Sequence, residues 1–326
     1  MNLNLYDRDL NRIAVIGGQY ISCFWSEGYN TTENFSVELI ETDEYKKKIR
    51  EDCYIGRDDR NTLMVIKTVQ IANGKIVASG KQATRLLEDV AFVGEISSGA
   101  YIDKAIKNAY NSSSKYHNVE FTESDLQIAY NEKIGNKSFL ELATVMCQST
   151  DVGFRCVKNG KKIFAEFYQP KSKENLVFSE KFGNIFVSSV SLSTEKYKNY
   201  AIVLGGGDGK TKTIVSVDAT GGGERREIII DAGSTTKESG ETDQNYKARL
   251  AAVGMEKIVE SQKIFECAFS PSVKDFGTKY DLGDVLTIYL TEYGIVLQAR
   301  VARFSQKAQG NKIDTTVEVG KIIFKR

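Results

Sequence analysis

The strongest constraint on the fold of this chain is a strict alternation of apolar and polar residues close to its end. The alternating apolar positions of two neighbouring segments are Leu286, Ile288 and Leu290, and Ile295, Leu297, Ala299 and Val301. Successive side chains of a β-strand point to opposite faces of the sheet, so this spacing predicts two strands that each pack one face. A turn at Tyr293-Gly294 joins them into an antiparallel pair.

A third strand is predicted to complete a short meander. We expect the second strand to run through Phe304, a polar loop to cover Ser305 to Asn311, and the third strand to end at Lys321. The segment from Gln70 to Lys81 is similar in sequence to this ending when gaps are allowed. The meander and this similar segment predict a β-rich α+β fold with two small β-barrel modules and an α+β insert between them.

The length of the chain, 326 residues, indicates more than one domain. We assign residues 1–95 to the first β-barrel module, because they are rich in β-branched and aromatic runs. Residues 96–198 form the α+β insert, and residues 199–245 form a long glycine-turn hairpin with a linker. Residues 246–326 form the second β-barrel module.

Helices and hairpins within these segments are predicted from apolar spacing, capping residues and turn residues. The predicted helices lie at 42–48, 82–88, 102–110 and 246–260, and one begins at Ser138, where Glu141 completes a capping box. Asn159-Gly160 predicts a hairpin, and a second hairpin joins residues 199–204 to 213–218. Residues 232–243, rich in Ser, Thr, Gly and Glu, are the predicted linker.

The composition argues against several classes of protein. Lys and Arg number 44 against 43 Asp and Glu, so the chain lacks the basic excess with which nucleic-acid binders contact phosphates. The first residues show no secretory signal, and no apolar run approaches the length of a membrane span. Five scattered cysteines without a Cys-x-x-Cys pair predict buried thiols rather than a zinc ribbon. We therefore expect no membrane partner and no specific binding of nucleic acid.

The glycine-rich loop from Gly205 to Thr211 resembles a phosphate-binding loop only superficially. A Walker A loop requires glycine five positions before its Gly-Lys-Thr, and that position is Leu204. A predicted strand also follows the loop, whereas a phosphate site uses the N-terminus of a helix. We interpret this loop as the turn of a hairpin.

Other residue types that carry catalysis are sparse or scattered. His117 is the only histidine, and although it follows the serines at 112–114, we interpret it as a solvated loop residue. The acidic pair in Arg57-Asp58-Asp59-Arg60 is interpreted as a charged surface turn, because each aspartate has an arginine beside it. We assign no catalytic, cofactor-binding or metal-ligating residue, and we expect no cofactor and no enzymatic activity.

Three segments give the chain a resemblance to a known family. Residues 24–39 resemble an opening strand pair, residues 80–87 resemble the passage from a barrel into a helix, and residues 280–303 contain the closing Leu282-Gly283-Asp284 module. In this order they resemble the siphophage tail-hub family, which includes the N-terminal domains of tail-associated lysins. The central hub proteins of contractile tails share that architecture.

The resemblance implies a structural hub protein in the baseplate of a phage tail or phage-tail-like particle. It implies a homotrimeric ring, with two barrels per subunit around a channel through which DNA passes. The implied partners are the tail tube or a distal tail ring protein on one side and a tail spike or tip protein on the other. The tape measure protein is a further candidate partner. We expect assembly in the bacterial host cytoplasm. Because the chain ends shortly after the barrel, we also expect any hydrolase or spike to be a separate polypeptide.

Two alternatives stay open at this stage. A cell-wall-degrading enzyme would use carboxylates of the insert, and a glycan- or receptor-binding tail-tip protein would need exposed aromatic residues such as Tyr116 or Tyr130. For the hub, the strand faces between Leu286 and Val301 are the predicted contacts between subunits.

Overall fold

The computed structural model describes residues 1–113, 119–122, 124–206, 212–261, 264–310 and 312–323. Strands make up 47% of the structure and helices 20%, so the fold is mostly β with several sheets, as predicted. The chain divides into two compact units, Met1–Phe186 with Ser270–Arg326, and Val187–Phe269. The division into four segments stays a prediction.

Most elements lie where the sequence predicts them, but the predicted helix at 82–88 is a 3-10 helix, Ala83–Leu87. The strands are β1 (Leu3–Tyr6), β2 (Arg12–Gly17), β3 (Ser22–Gly28), β4 (Asn34–Ile40), β5 (Tyr54–Arg57), β6 (Leu63–Ala72), β7 (Lys75–Gln82), β8 (Ala91–Ile96), β9 (Ala100–Tyr101), β10 (Val119–Phe121), β11 (Ala129–Tyr130), β12 (Ile134–Ser138), β13 (Gly153–Asn159), β14 (Lys162–Tyr168), β15 (Ser172–Ser179), β16 (Ile185–Ser193), β17 (Tyr200–Leu204), β18 (Ile214–Asp218), β19 (Glu227–Asp231), β20 (Ile264–Pro271), β21 (Val285–Leu290), β22 (Ile295–Gln309) and β23 (Lys312–Ile323). The helices are α1 (Asp43–Lys48), α2 (Ile102–Ser112), α3 (Phe139–Thr150) and α4 (Asp243–Glu260).

A single eleven-stranded sheet dominates the first unit. Its strand order is β15-β21-β22-β3-β4-β7-β6-β5-β1-β2, and β23 pairs with β22 outside this path. Strands from the beginning and the end of the chain therefore belong to one sheet, joined where β3 pairs antiparallel with β22. Among the described strands the pairing does not close into a barrel, so the two barrel modules stay a prediction.

The long strand β22 corrects one prediction from the sequence. Residues 305–309 do not form a polar loop, because they continue β22 and pair with β3 on one edge and with β23 on the other. The third strand begins at Lys312, and Asn311 lies outside the described residues. Ladder hydrogen bonds come from the backbone, so strand neighbours on both edges hold polar residues in extended conformation. Ala308, in the middle of this stretch, is fully buried.

One edge of β22 pairs with β21 as far as Arg300 and with β3 from Arg303 onwards, so its partner changes at Val301 and Ala302. The backbone N–H of Gly283 donates to the Val301 carbonyl over 2.8 Å, and that of Tyr29 donates to the Ala302 carbonyl over 2.8 Å. Gly283 has φ +87°, and a Cβ at this position would lie 2.5 Å from a carbon of the Tyr29 ring. The Leu282-Gly283-Asp284 module thus requires glycine both for its backbone conformation and for the close approach of Tyr29.

The helices of the first unit cover a core that continues into the sheet. The Ser138 side chain accepts from the backbone N–H of Glu141, and the carboxylate of Glu141 accepts from that of Ser138, so the predicted capping box at α3 is confirmed. Aromatic rings from α2, α3, β10, β13 and β14 pack together there. Asn30 connects this region to the β3–β4 turn, because its amide donates to the Val152 carbonyl and accepts from the N–H of Phe154.

The second unit is a small layered module. A sheet of order β18-β17-β19 packs one face against α4, and β16 pairs with β20 in a separate ribbon. Ala201, Val203 and Leu250 form the centre of its core and are fully buried. The predicted hairpin from 199 to 218 and the predicted helix at 246–260 are confirmed, and the helix begins earlier, at Asp243, capped by Thr242.

We expect Gly283→Ala to destabilise the protein more than Gly294→Ala. Both positions have positive φ, but a Cβ at Gly294 would meet open space whereas one at Gly283 would collide with Tyr29. The backbone term alone costs about 1 kcal/mol, and overpacking adds about 1–3 kcal/mol. Urea unfolding of both variants measures the difference, and equal losses would show that the approach of Tyr29 is not a constraint.

Candidate functional site

A buried carboxylate lies at the centre of the contact between the beginning and the end of the chain. Glu27 follows Trp25 by two residues on β3, so both side chains face the interior of the sheet, and Glu27 is only 1% exposed. Its carboxylate accepts from the indole N–H of Trp25 at 2.8 Å, from the Thr62 hydroxyl at 3.0 Å and from Nε of Arg60 at 2.8 Å. A buried carboxylate needs hydrogen-bond donors to replace the water that it has lost, and three donors surround this one.

Arg60 extends this network to the closing segment of the chain. Its guanidinium lies 3.3 Å from the Asp281 carboxylate and stands over the rings of Phe276 and Phe304, at 5.0 and 5.3 Å. Those two rings stack on each other with centroids 4.4 Å apart. Burial lowers the pKa of Arg60, but the carboxylates of Glu27 and Asp281 outweigh burial and raise it. We call Glu27, Arg60, Asp281 and their aromatic neighbours the charged junction.

The turn at residues 57–60 exposes both of its aspartates, as the sequence suggested, but its two arginines are directed into the protein. The Arg57 side chain is 2% exposed and lies over the Trp25 ring at 5.4 Å, while it pairs with Asp59 at 2.6 Å. That hydrogen bond holds the pKa of Asp59 below its usual range. Both arginines point into the protein because the aromatic rings of β3 and β22 offer them flat surfaces.

The last residue of β7, Gln82, connects the surroundings of the charged junction. The side-chain oxygen of Gln82 accepts from the backbone N–H groups of Gly28 and Glu33, at 3.3 and 2.8 Å. Glu33 in turn pairs with Arg303 of β22 at 3.2 Å. The three segments that carried the family resemblance, near residues 24–39, 80–87 and 280–303, therefore meet at one place in the structure.

A cavity of about 220 Å³ opens beside the charged junction, between Glu27, Arg155 and Tyr168. Two polar side chains of its lining already have partners: Arg155 pairs with Glu166 at 3.1 Å, and the Tyr168 hydroxyl donates to the Leu282 carbonyl at 3.2 Å. Burial raises the pKa of Tyr168. These contacts connect β13 with β14 and β14 with the closing segment of the chain.

Chemistry-bearing residues considered from the sequence do not assemble into a centre within the described part of the chain. There, no group of three or more His, Cys, Asp or Glu residues has metal-binding geometry. His117, Tyr116 and residues 207–211 of the glycine-rich loop lie outside the described residues. Cys23 is buried, as are Cys53, Cys147 and Cys156, and burial raises the pKa of Cys23 to about 12. The assignment of no catalytic, cofactor or metal residue stays a prediction.

Two further expectations concern exposed surfaces. Tyr130 is only 2% exposed, so it offers no ring face for a sugar. Between Leu286 and Val301 the alternating residues pack inward as predicted, with Leu286, Ile288 and Ala299 fully buried. On the outer face, Tyr289 and Val296 stand directly opposite each other, 36% and 65% exposed. Among the described helices, none has both the length and the apolar character needed to cross a lipid bilayer.

The sequence carried one overlooked signal for the charged junction. Glu27 stands two residues after Trp25 in a strand, so the two side chains lie on the same face of the sheet. Because a tryptophan usually faces the interior, this spacing indicates that Glu27 is buried as well. A charge at such a position needs a partner. Nothing in the sequence pointed to Asp281, 221 positions from Arg60.

Comparison with known proteins gives one family and several similar folds. Residues 2–321 match the family described as Siphovirus ReqiPepy6 Gp37-like protein. The 43 kDa tail protein of prophage MuSo2 from Shewanella oneidensis is similar with a TM-score of 0.61 and 11% identity, over 98% of each chain. The prophage tail protein gp18 from Listeria monocytogenes gives a TM-score of 0.58 and 12% identity, over 98% of this chain and 95% of that one.

A tail protein from Neisseria meningitidis gives a TM-score of 0.57 and 10% identity, over 98% of this chain and 96% of that one. At these identities the likeness concerns the fold alone. No curated protein matches the chain.

We expect Arg60→Met to lower the free energy of unfolding by about 3–5 kcal/mol, because it leaves Glu27 charged and buried without its cation. Urea or thermal unfolding measures the loss. The double variant Arg60→Met with Glu27→Gln should recover part of it. Lys104→Met is the control, since Lys104 pairs with Asp125 where both side chains are more than half exposed, and little change is expected. An Arg60 variant as stable as the control would contradict a structural role for the charged junction.

Proposed function

Since this chain belongs to the Siphovirus ReqiPepy6 Gp37-like family of phage tail proteins, we propose that it is the structural hub of a tail baseplate. The resemblance that the sequence showed to siphophage tail proteins is confirmed. In this proposal the protein forms a homotrimeric ring that joins the tail tube or distal tail ring to the central tip or spike. Each subunit contributes two barrel-like modules, and the ring leaves a channel for DNA.

The observation that best supports a hub is the eleven-stranded sheet that unites strands from both ends of the chain. Such a sheet, clamped by the buried Glu27–Arg60 pair, gives a stiff frame on which ring contacts keep a fixed geometry. Its terminal strands also present unpaired backbone groups, which are natural docking edges for strands of another protein. We propose that the tail tube, the tip protein and the tape measure protein meet this frame.

The proposed subunit contact uses the outer face of β21 and β22. Tyr289 and Val296 form an apolar cross-strand pair on that face, whereas the opposite face packs the core. Closed rings bury such faces between neighbouring copies. We propose no catalytic role for the protein, and we place it in the virion tail baseplate after assembly in the host cytoplasm.

Val296→Asp should prevent ring formation, because it places a charge in the proposed subunit contact. Size-exclusion chromatography with light scattering on the purified protein, and electron microscopy of assembled particles, measure the outcome. Ile40→Asp is the matched control, since Ile40 is also 65% exposed and also belongs to the large sheet. If Val296→Asp assembles normally, or if both variants fail alike, the contact does not lie on this face.

Purified full-length protein should produce no clearing in a zymogram that contains host cell walls. The expectation follows from the contacts of Glu27 and Asp281, the two carboxylates of the charged junction, because both are bonded to the Arg60 guanidinium. A tail lysin of known activity serves as the positive control. Clearing that disappears in a variant of an acidic residue of the insert would favour the cell-wall-degrading alternative.

A further inference from the structure

The second unit carries a sheet face that is largely exposed among the described residues. In that sheet, β17 lies between antiparallel β18 and parallel β19. The face toward α4 is tightly packed, since a Cβ on Gly254 of the helix would come within 2.8 Å of both Val203 and Val217. The opposite face of the sheet is directed away from α4.

Register places the nine outward side chains of that face in a three-by-three grid. Reading β18, β17 and β19 in turn, the rows are Asp218, Tyr200 and Glu227, then Ser216, Ile202 and Ile229, then Ile214, Leu204 and Asp231. Five of the nine are apolar. Ile214 and Ile229 are 60% and 67% exposed.

This pattern differs from that of a sheet that faces water. A solvated face alternates polar with apolar along each strand, whereas strands buried on both faces have continuous apolar runs. The strand β19 has such a run, Ile228 to Ile230, and β17 is apolar from Ala201 to Leu204. The sequence of these strands therefore fits a second cover opposite α4.

The charges around the grid restrict what that cover is. The grid contains three carboxylates, Asp218, Glu227 and Asp231, and no Lys or Arg. Arg225 lies 3.3 Å over the Tyr200 ring and pairs with Glu227 at 2.7 Å. Asp218 accepts hydrogen bonds from Thr220, and Asp231 accepts one from the N–H of Gly233, but neither has an ion pair with a described residue. A second copy of the same face would bring carboxylates toward carboxylates. A cover with Lys or Arg at its margins is complementary.

The size of the grid fits one helix. Two strand spacings give about 10 Å across, and four residues along a strand give about 13 Å. One α-helix is about 10–12 Å in diameter, and two of its turns span about 11 Å. We propose that this face binds an amphipathic helix from a different tail protein, with an apolar stripe on Ile202, Leu204 and Ile229 and basic residues beside Asp218 and Asp231.

Photocrosslinking in assembled particles tests the proposal. A benzophenone amino acid replaces Ile229 in the full chain, and particles are purified, irradiated and analysed by mass spectrometry. The expected product joins position 229 to a segment of another polypeptide whose apolar residues recur at helical spacing between Lys or Arg residues. Met255, exposed on α4, is the control position and should not crosslink to that segment.

Three results would overturn the proposal: a crosslink to a second copy, a crosslink to residues 1–186 or 270–326 of the same chain, or no crosslink in particles that contain the protein. As a second variant, Ile229→Asp should leave the far-UV spectrum of the purified chain unchanged and reduce recovery of the helical partner in particles at least tenfold. Unchanged recovery would also contradict the proposal. Incorporation of the chain into particles is measured separately, so failure of the helix site and failure of the hub function are distinguishable.

Discussion

The buried ion pair between Glu27 and Arg60 is the interaction on which the large sheet depends. It lies where β3 meets β22, and those two strands are the sole link in the described sheet between strands from the two ends of the chain. Burying two charges is costly unless each finds several partners. Here the indole of Trp25, the hydroxyl of Thr62 and the carboxylate of Asp281 supply them, so the pair gives the contact a single permitted geometry.

The same requirement explains why aromatic rings gather at this place. The planar guanidinium groups of Arg57 and Arg60 lie over the rings of Trp25, Phe276 and Phe304, which exclude water while tolerating charge. Gly283 acts in parallel, since the absence of a side chain lets the Tyr29 ring approach the corner of β22. The polar network around Arg60 and the missing side chain of Gly283 thus hold β3 and β22 together in two independent ways. That redundancy is consistent with the proposed hub role, in which the sheet keeps neighbouring proteins in register.

Local structure was largely predictable from the sequence, and distant pairing was not. The capping box at Ser138, the Asn159-Gly160 hairpin and the alternation before and after Gly294 depend on neighbouring residues, and each is present as predicted. The polar stretch from Ser305 was misread because β3 supports it from far away in sequence. The charged junction was missed for the same reason: Glu27 gave a local hint, whereas the contact between Arg60 and Asp281 exists only in the folded chain.

The pairing of β3 with β22 also sets the order in which this protein can fold. The Ser26 hydroxyl bonds to the Phe304 carbonyl across 278 positions, so a ribosome adding ~5–20 residues per second needs roughly 15–55 s between the two strands. During that interval one edge of β3 has no native partner, and contacts of such high order form slowly even in a complete chain. The nascent protein therefore exposes an open strand edge for many seconds, and the sheet cannot be completed before β22 has been synthesised.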